Sequence, residues 1–342
     1  MKNYIQKLKN QENLSQQEIA EVMRLIMSGE ANKEDASEFL LALRAKGATV
    51  EEITGAARIM RQFVVPVRTK QQTILDTCGT GGDKKNTFNI STVVALVVAA
   101  GGVTVAKHGN RSVSSRCGSA DVLEALGVNL NLEEQYLGEC LDKVGIAFLF
   151  AQKLHPAMKN VAPIRKELKV ETIFNILGPL TNPAQATHQI MGVYSRELVE
   201  PLAHVLKNLG LKKTLVVHGL DGLDEITTTT TTFIAEYNGE EILSYDISPE
   251  EAGIKHASPK DLEGGDVKRN AAIIQDILKG ASGAKRDIVL LNAAYAFYLV
   301  GKVKDLSAGI QLAQETINSG KALKKLEELK EFTQNYAAAK SS

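Results

Sequence analysis

Three things are scarce in this chain: charge of one sign, cysteine, and any long apolar run. Its 342 residues carry 40 Lys+Arg against 40 Asp+Glu, a formal net charge of zero. No global field draws such a chain onto nucleic acid or anionic lipid. The three cysteines, Cys78, Cys117 and Cys140, are an odd set without metal-ligand spacing. They argue for a reducing compartment and against a disulfide frame. The most apolar run, Val93 to Val103, is too short to span a bilayer and is broken by Gly101 and Gly102. Met1 to Gln6 do not read as a signal peptide. A cytoplasmic protein without nucleic-acid or membrane partners is expected.

What is present divides in two. The length exceeds the usual single domain, and the apolar fraction of 44% is that of an ordinary globular protein. Ser15-Gln16-Gln17-Glu18 is a capping box, followed by Ile19, Val22, Met23 and Ile26 at helical spacing. A second helix fits residues 35–46, stopped by Gly47. A second capping box, Thr49 to Glu52, opens a third that must end before Pro66. Nothing before residue 70 reads as a strand. Residues 1–66 are therefore a helical domain and residues 70–342 an α/β domain. The proline-interrupted segment 161–183 reads as broken helical turns that return to the helical unit.

The α/β part is organised around a glycine turn. Thr73 to Leu75 reads as a strand, and Gly79, Gly81 and Gly82 follow with Asp83. Successive N–H groups in such a turn make an anion-binding concavity. Asn89-Ile90-Ser91-Thr92 then opens an apolar helix, which makes a phosphate site in prospect. The pattern is neither the dinucleotide G-x-G-x-x-G nor the P-loop. A second unit repeats the plan: strand Val103 to Ala106, polar loop Lys107 to Arg111 with Ser112, Ser114, Ser115 and Arg116, then a helix from Ser119 to Gly127. Two such units place both loops at the carboxyl edge of a parallel sheet, where ligands bind. Further strands fit residues 147–150, 189–194 and 214–217. The last leads into His218 to Glu225, another loop at that edge. Thr227 to Thr232 reads as an extended loop or antiparallel strand. Helices over 287–300 and 307–319 follow, and Lys321 onwards reads as a charged helix with a solvated face.

Gly79-Thr80-Gly81-Gly82-Asp83, Asn89-Ile90-Ser91-Thr92, Lys107-His108-Gly109-Asn110-Arg111 and Asp224-Glu225 together resemble the signature of the anthranilate phosphoribosyltransferase family. The similarity runs from about Ser15 to about Val300. It implies a small helical domain plus a larger α/β domain with a mainly parallel central sheet flanked by helices. It also implies transfer of the phosphoribosyl group from phosphoribosyl pyrophosphate to the amine of anthranilate, in a homodimer paired through the helical domain.

The resemblance assigns residues to this chemistry. Gly79, Gly82, Asp83, Thr87, Asn89, Ile90, Ser91, Thr92, Lys107, Ser115 and Ser119 would hold the phosphoribosyl donor. Asp224 and Glu225, with the Ser91 hydroxyl, would bind two Mg²⁺ ions. An Asp-Glu dipeptide alone is usually surface charge, and Ser91 could equally cap its helix. Gly79, Asn110, Arg165, His155, Gly178 and Pro179 would hold anthranilate, with Arg165 matching its carboxylate bidentately. His108 is a candidate catalytic or contact residue, although a lone histidine is more often structural. Arg111 and Arg116 are open between phosphate contact and structural ion pair. Thiol chemistry is not needed, so Cys78 and Cys117 read as packing. Two other readings stay open: a pyrimidine nucleoside phosphorylase, and a non-catalytic nucleic-acid-binding relative.

Overall fold

The computed structural model describes residues 1–112 and 116–338. Four helices open the chain: α1 (Lys2–Lys9), α2 (Gln16–Ser28), α3 (Lys33–Lys46) and α4 (Val50–Gln62). Both sequence-predicted capping boxes form, Ser15 with Glu18 and Thr49 with Glu52. Helix α3 starts two residues before its expected position because the Asn32 side chain accepts from the Asp35 N–H. Glu52 is fully buried, takes the Leu14 and Thr49 N–H groups, and pairs with Lys46 at 2.9 Å.

The larger part follows as β1 (Ile74–Gly79), α5 (Ile90–Ala100), β2 (Thr104–Gly109), α6 (Ser119–Ala125), α7 (Glu134–Lys143) and β3 (Ile146–Phe150). Then come α8 (Ala151–Leu154), α9 (Met158–Leu168) and α10 (Phe174–Leu177), before β4 (His188–Gly192), α11 (Val199–Asn208) and β5 (Lys213–Gly219). An antiparallel pair, β6 (Thr232–Tyr237) and β7 (Ile242–Ile247), completes the sheet. Helices α12 (Val267–Leu278), α13 (Ala284–Leu299), α14 (Leu306–Asn318) and α15 (Lys321–Ala338) close the chain.

The sheet order is β3-β2-β1-β4-β5-β6-β7, with β1 to β5 parallel. Alternate side chains feed two cores, as a pleat dictates. Ile190, Leu215, Val217 and Ile234 join α5 and α13 on one face. Met191, Val216 and Ala235 join α11 and the N-terminal helices on the other. Helix α9 returns to pack against α2 and α3, where Asn160 Nδ2 donates to the Met27 carbonyl at 2.8 Å and Lys33 pairs with Glu167.

The structure corrects several sequence-based expectations. Strands β1 and β2 run on through Asp76-Thr77-Cys78-Gly79 and Lys107-His108-Gly109, which the hydrophobic pattern assigned to loops. Their polar side chains are buried with partners, so apolarity is a poor guide to where these strands end. Residues 151–154, for which no element was expected, form a helical turn. Strand β7 and helix α12 were not expected, although α12 has an Asp266 cap and Ala271, Ile274, Ile277 and Leu278 at helical spacing. Helix α15 is not merely a solvated face: Ala322, Leu326 and Leu329 are buried against α5.

Candidate active site

The strand order reverses beside β1: β2 and β3 extend one way, β4 and β5 the other. Ligands of open parallel sheets bind at that reversal, outside the strand ends. There β1 and β4 end on paired glycines, Gly79 opposite Gly192. The loop after β5 folds back over both. A Cβ on Gly79 would stand 2.3 Å from Asp224 Oδ2, and one on Gly192 only 1.6 Å from the Asp224 carbonyl oxygen. Two bare backbones thus make the niche that Asp224 occupies.

The acidic loop is anchored to both neighbouring motifs. The Gly81 N–H donates to Asp224 Oδ2 at 2.9 Å, and the Ser91 N–H donates to Glu225 Oε1 at 3.0 Å. Asp221 braces the loop internally by accepting from the hydroxyls of Thr227 (2.8 Å) and Thr229 and from the Leu223 N–H (3.0 Å). Burial pushes the Asp224 carboxyl up to about 7, helped by hydrogen-bonded Asp83. Burial, then the Asp224 charge, pushes Glu225 up to about 8. Asp83 is also raised, by burial.

Lys107 lies within β2, buried, rather than on a loop. Its ammonium donates to the Thr77 carbonyl at 2.6 Å and to Ser91 Oγ at 3.2 Å. Burial lowers its pKa, while Asp76, Cys78, Glu225 and Asp224 hold the charge in place. Asp76 is fully buried and sits where β1 and β2 part after the Leu75–Val105 pair. Its carboxylate accepts the His108 N–H (3.1 Å) and Asn182 Nδ2 (2.8 Å) across that fork.

The remaining residues assigned to the donor surround this centre. Gly81 and Gly82 have φ of 67° and 85°, and Lys84 and Asn86 share the left-handed region. Asn89 precedes α5 without capping it by side chain; it donates to the Cys117 carbonyl at 3.0 Å and accepts from Asn270 at 3.1 Å. Ser91 does not cap the helix either, its N–H being taken by Glu225. Ile90 is buried in the core, and its N–H donates to the Phe88 carbonyl at 2.7 Å. Thr87 bridges to Glu263. Ser119 Oγ bonds the Asn110 carbonyl at 3.3 Å. Ser115 lies outside the described residues. Among the described residues, the buried hydroxyls of Thr80 and Thr92 have no partner. Arg111 is a structural ion pair, 2.9 Å from both Asp121 and Glu124; Arg116 is exposed.

Of the residues assigned to the aromatic acid, Gly79 ends β1, Asn110 directly follows β2, and His155 follows β3 through α8. His108 and His155 are buried with Nε2 atoms 3.0 Å apart, so one ring donates and the other accepts. Burial holds His108 well below its ordinary value and His155 down to about 4. Both are neutral at neutral pH. Gly178 lies beside His108, and the Pro179 carbonyl is held by Gln189 Nε2 at 2.7 Å. Half-buried Arg165 on α9 bonds Asn175 Oδ1 at 3.2 Å, and among the described residues no carboxylate pairs with it. Asn110 is exposed. Sequence reasoning missed Asp76, Asn182 and Gly192; each matters through a partner far along the chain.

The helical-bundle and a/b domains of the glycosyl transferase family match residues 2–64 and 71–323. An anthranilate phosphoribosyltransferase from Acetivibrio thermocellus is 53% identical over 98% of this chain and 97% of its own length. The chain belongs to the anthranilate phosphoribosyltransferase family. The crystal structure of anthranilate phosphoribosyltransferase from Thermus thermophilus superposes with a TM-score of 0.92 at 44% identity, covering 97% of this chain and 99% of that one. The Saccharomyces cerevisiae anthranilate phosphoribosyltransferase in complex with PRPP and Mg gives 0.89 at 29% identity, covering 97% of both chains. The same yeast enzyme in complex with 4-fluoroanthranilate gives 0.87 at 28%, again over 97% of both.

Proposed function

We propose that this protein transfers the 5-phosphoribosyl group from phosphoribosyl pyrophosphate to the amine of anthranilate, as a Mg²⁺-dependent pentosyltransferase of tryptophan biosynthesis in the cytoplasm. The products are N-(5-phosphoribosyl)-anthranilate and pyrophosphate. One observation carries the reading: at the β1/β4 reversal the glycine turn and Ser91 bond the Asp224–Glu225 pair, and Lys107 joins them through Ser91. The yeast relative, in complex with PRPP and Mg, supports it.

The donor set fits Mg²⁺. Asp83, Asp224, Glu225 and the Ser91 hydroxyl are hard oxygen ligands, and the carboxyls are raised by burial and mutual repulsion that a cation would relieve. Among the described residues no group of three His, Cys, Asp or Glu is gathered to hold a metal alone. Mg²⁺ does not require one, since it takes a carboxylate or two plus water and substrate phosphates. Two ions per subunit are the expected stoichiometry. When bound, they supply positive charge against the departing pyrophosphate.

The chain's own groups complete the work. The Gly82 N–H, the unpaired Thr80 and Thr92 hydroxyls and Lys107 hold the diphosphate; Gly79, Asp83, Thr87, Asn89 and Ser119 shape that half of the site. Arg165 takes the anthranilate carboxylate, Asn110 its polar end, and Gly178–Pro179 walls the ring. The C1–O bond breaks as the amine nitrogen bonds C1, and that nitrogen then loses its proton. An aromatic amine has a free lone pair at neutral pH, so no strong base is required. The neutral His108–His155 pair orients the acceptor. The unit 1–66 with the returning 161–183 brings Arg165 to the donor, and two copies pair through this unit, where Leu41 of α3 stands exposed. A monomer in sedimentation would remove the pairing.

The test is phosphoribosyl-anthranilate formation followed by fluorescence, with and without Mg²⁺. Asp224→Asn should abolish cation-dependent turnover. Arg165→Ala should chiefly raise KM for anthranilate, losing bonds to a charged partner worth about 1.5–3 kcal/mol, roughly ten- to a hundredfold in kcat/KM. Wild-type rates in both variants, or phosphorolysis of uridine or thymidine instead, would overturn the assignment.

A further inference from the structure

One buried amide outside the sequence motifs reaches the acidic loop. Asn292 lies in the middle of α13, 2% exposed, among apolar neighbours. A carboxamide there costs free energy unless all its groups are bonded. Its Oδ1 accepts the Ile226 N–H at 3.1 Å, and its Nδ2 donates to the Ile226 carbonyl at 2.8 Å and to the Ile288 carbonyl at 2.8 Å. Both polar groups of one loop residue are thus taken by one side chain, as a neighbouring strand would take them. Ile226 is itself fully buried, and it directly follows Glu225. A small cavity between the loop and the sheet is lined by Ser91, Glu225 and Asn292 together.

We infer that Asn292 is a positioning residue for the divalent-cation site: by gripping both peptide groups of Ile226 it fixes where the chain leaves Glu225, and so where the Glu225 carboxylate stands. The inference rests on the cation reading of Asp224–Glu225. Leu223 and Ile226 seat the loop in the core, and its other side-chain hydrogen bonds lie near the strand ends; Asn292 ties it to a helix buried on nearly every side. Partners of this kind orient metal ligands, and losing one costs about 10- to 100-fold in metal affinity or activity.

The test uses the full chain and Mn²⁺ as the probe, with binding read by electron paramagnetic resonance in the presence of phosphoribosyl pyrophosphate. Asn292→Asp keeps shape and one acceptor but turns an oxygen toward two carbonyls. It should weaken Mn²⁺ binding roughly 10- to 100-fold and raise the Mg²⁺ requirement for turnover, with KM for anthranilate unchanged. Asn292→Ser should do the same to a smaller degree. A lower Tm with wild-type Mn²⁺ affinity would make Asn292 structural only and overturn the inference. Should neither variant fold, hydrogen exchange in the native protein decides. The Ile226 N–H should be protected as strongly as the core of α13 without added cation, and fast exchange there would overturn the inference. Asp224→Asn separates the two readings. If it leaves Mn²⁺ binding intact, the cation assignment itself fails; if only the Asn292 variants do, the fault lies with Asn292.

Discussion

Asp224 and Glu225 hold their protons more tightly in the fold than in the unfolded chain, with values of about 7 and 8 against ordinary carboxylate values. Where the native state binds more protons, stability falls as pH rises. Between about pH 4 and 6.5 the buried His108, His155 and His188 act in the opposite sense, because their lowered pKa values mean that the unfolded chain takes up the proton. From about pH 7.5 to 8.5 these imidazoles are neutral in the fold and nearly so in the unfolded chain, and the two carboxyls dominate. In a chelator, Tm should therefore fall across that upper window, and added Mg²⁺ should raise it most at the alkaline end. Calorimetry with and without Mg²⁺ checks both signs; a flat profile would mean these carboxyls are solvated. At this scale the sequence was readable where a residue acts through its neighbours in the chain, as Gly81, Gly82 and Asp83 do. It was silent on Asp76 and Asn292, whose importance lies in bonds to His108, Asn182 and Ile226.

Strand ends and their loops set the next level. The mainly parallel sheet was legible because each strand–loop–helix unit repeats a local hydrophobic pattern. The true ends of β1 and β2 were not, because Asp76, Lys107 and His108 are polar residues buried by pairing rather than by apolarity. Gly192 shows the same limit in another form. Its φ is not among the positive ones, so no local signal marks it, yet a methyl group there meets the Asp224 backbone at 1.6 Å. That atom is main chain and cannot swing aside, so Gly192→Ala must displace the acidic loop from the β1/β4 niche. Overpacking of this kind costs about 1–3 kcal/mol. Catalysis should suffer more than stability, with the Mg²⁺ requirement raised and the protein still folded. Circular dichroism beside a Mg²⁺ titration of turnover separates the two; loss of Tm alone would show that the loop has room to adapt.

Across the whole molecule, the two parts are fastened by arginines as well as by apolar contact. Arg58 Nη2 donates to the Asn208 carbonyl at 2.9 Å, and Arg61 donates to the carbonyls of Leu180 (2.8 Å) and Leu209 (3.2 Å). Cations suit that position, because the carbonyl end of α11 carries partial negative charge. Burial, then the Arg58 charge, lowers Arg61 to about 10, so it stays charged at neutral pH. Leu180 directly follows Gly178 and Pro179, which makes Arg61 one tie between α4 and the proposed acceptor half of the cleft. Arg61→Met should loosen that half: KM for anthranilate rises several-fold, while KM for phosphoribosyl pyrophosphate holds. If substrates close the helical unit onto the sheet, excluding water that would hydrolyse the donor, small-angle scattering should record a smaller radius of gyration with Mg²⁺, donor and an unreactive anthranilate analogue present. Arg61→Met should need more analogue to reach it. An unchanged radius in the wild-type chain would mean that Arg165 already stands in place, and that the cleft works without closing.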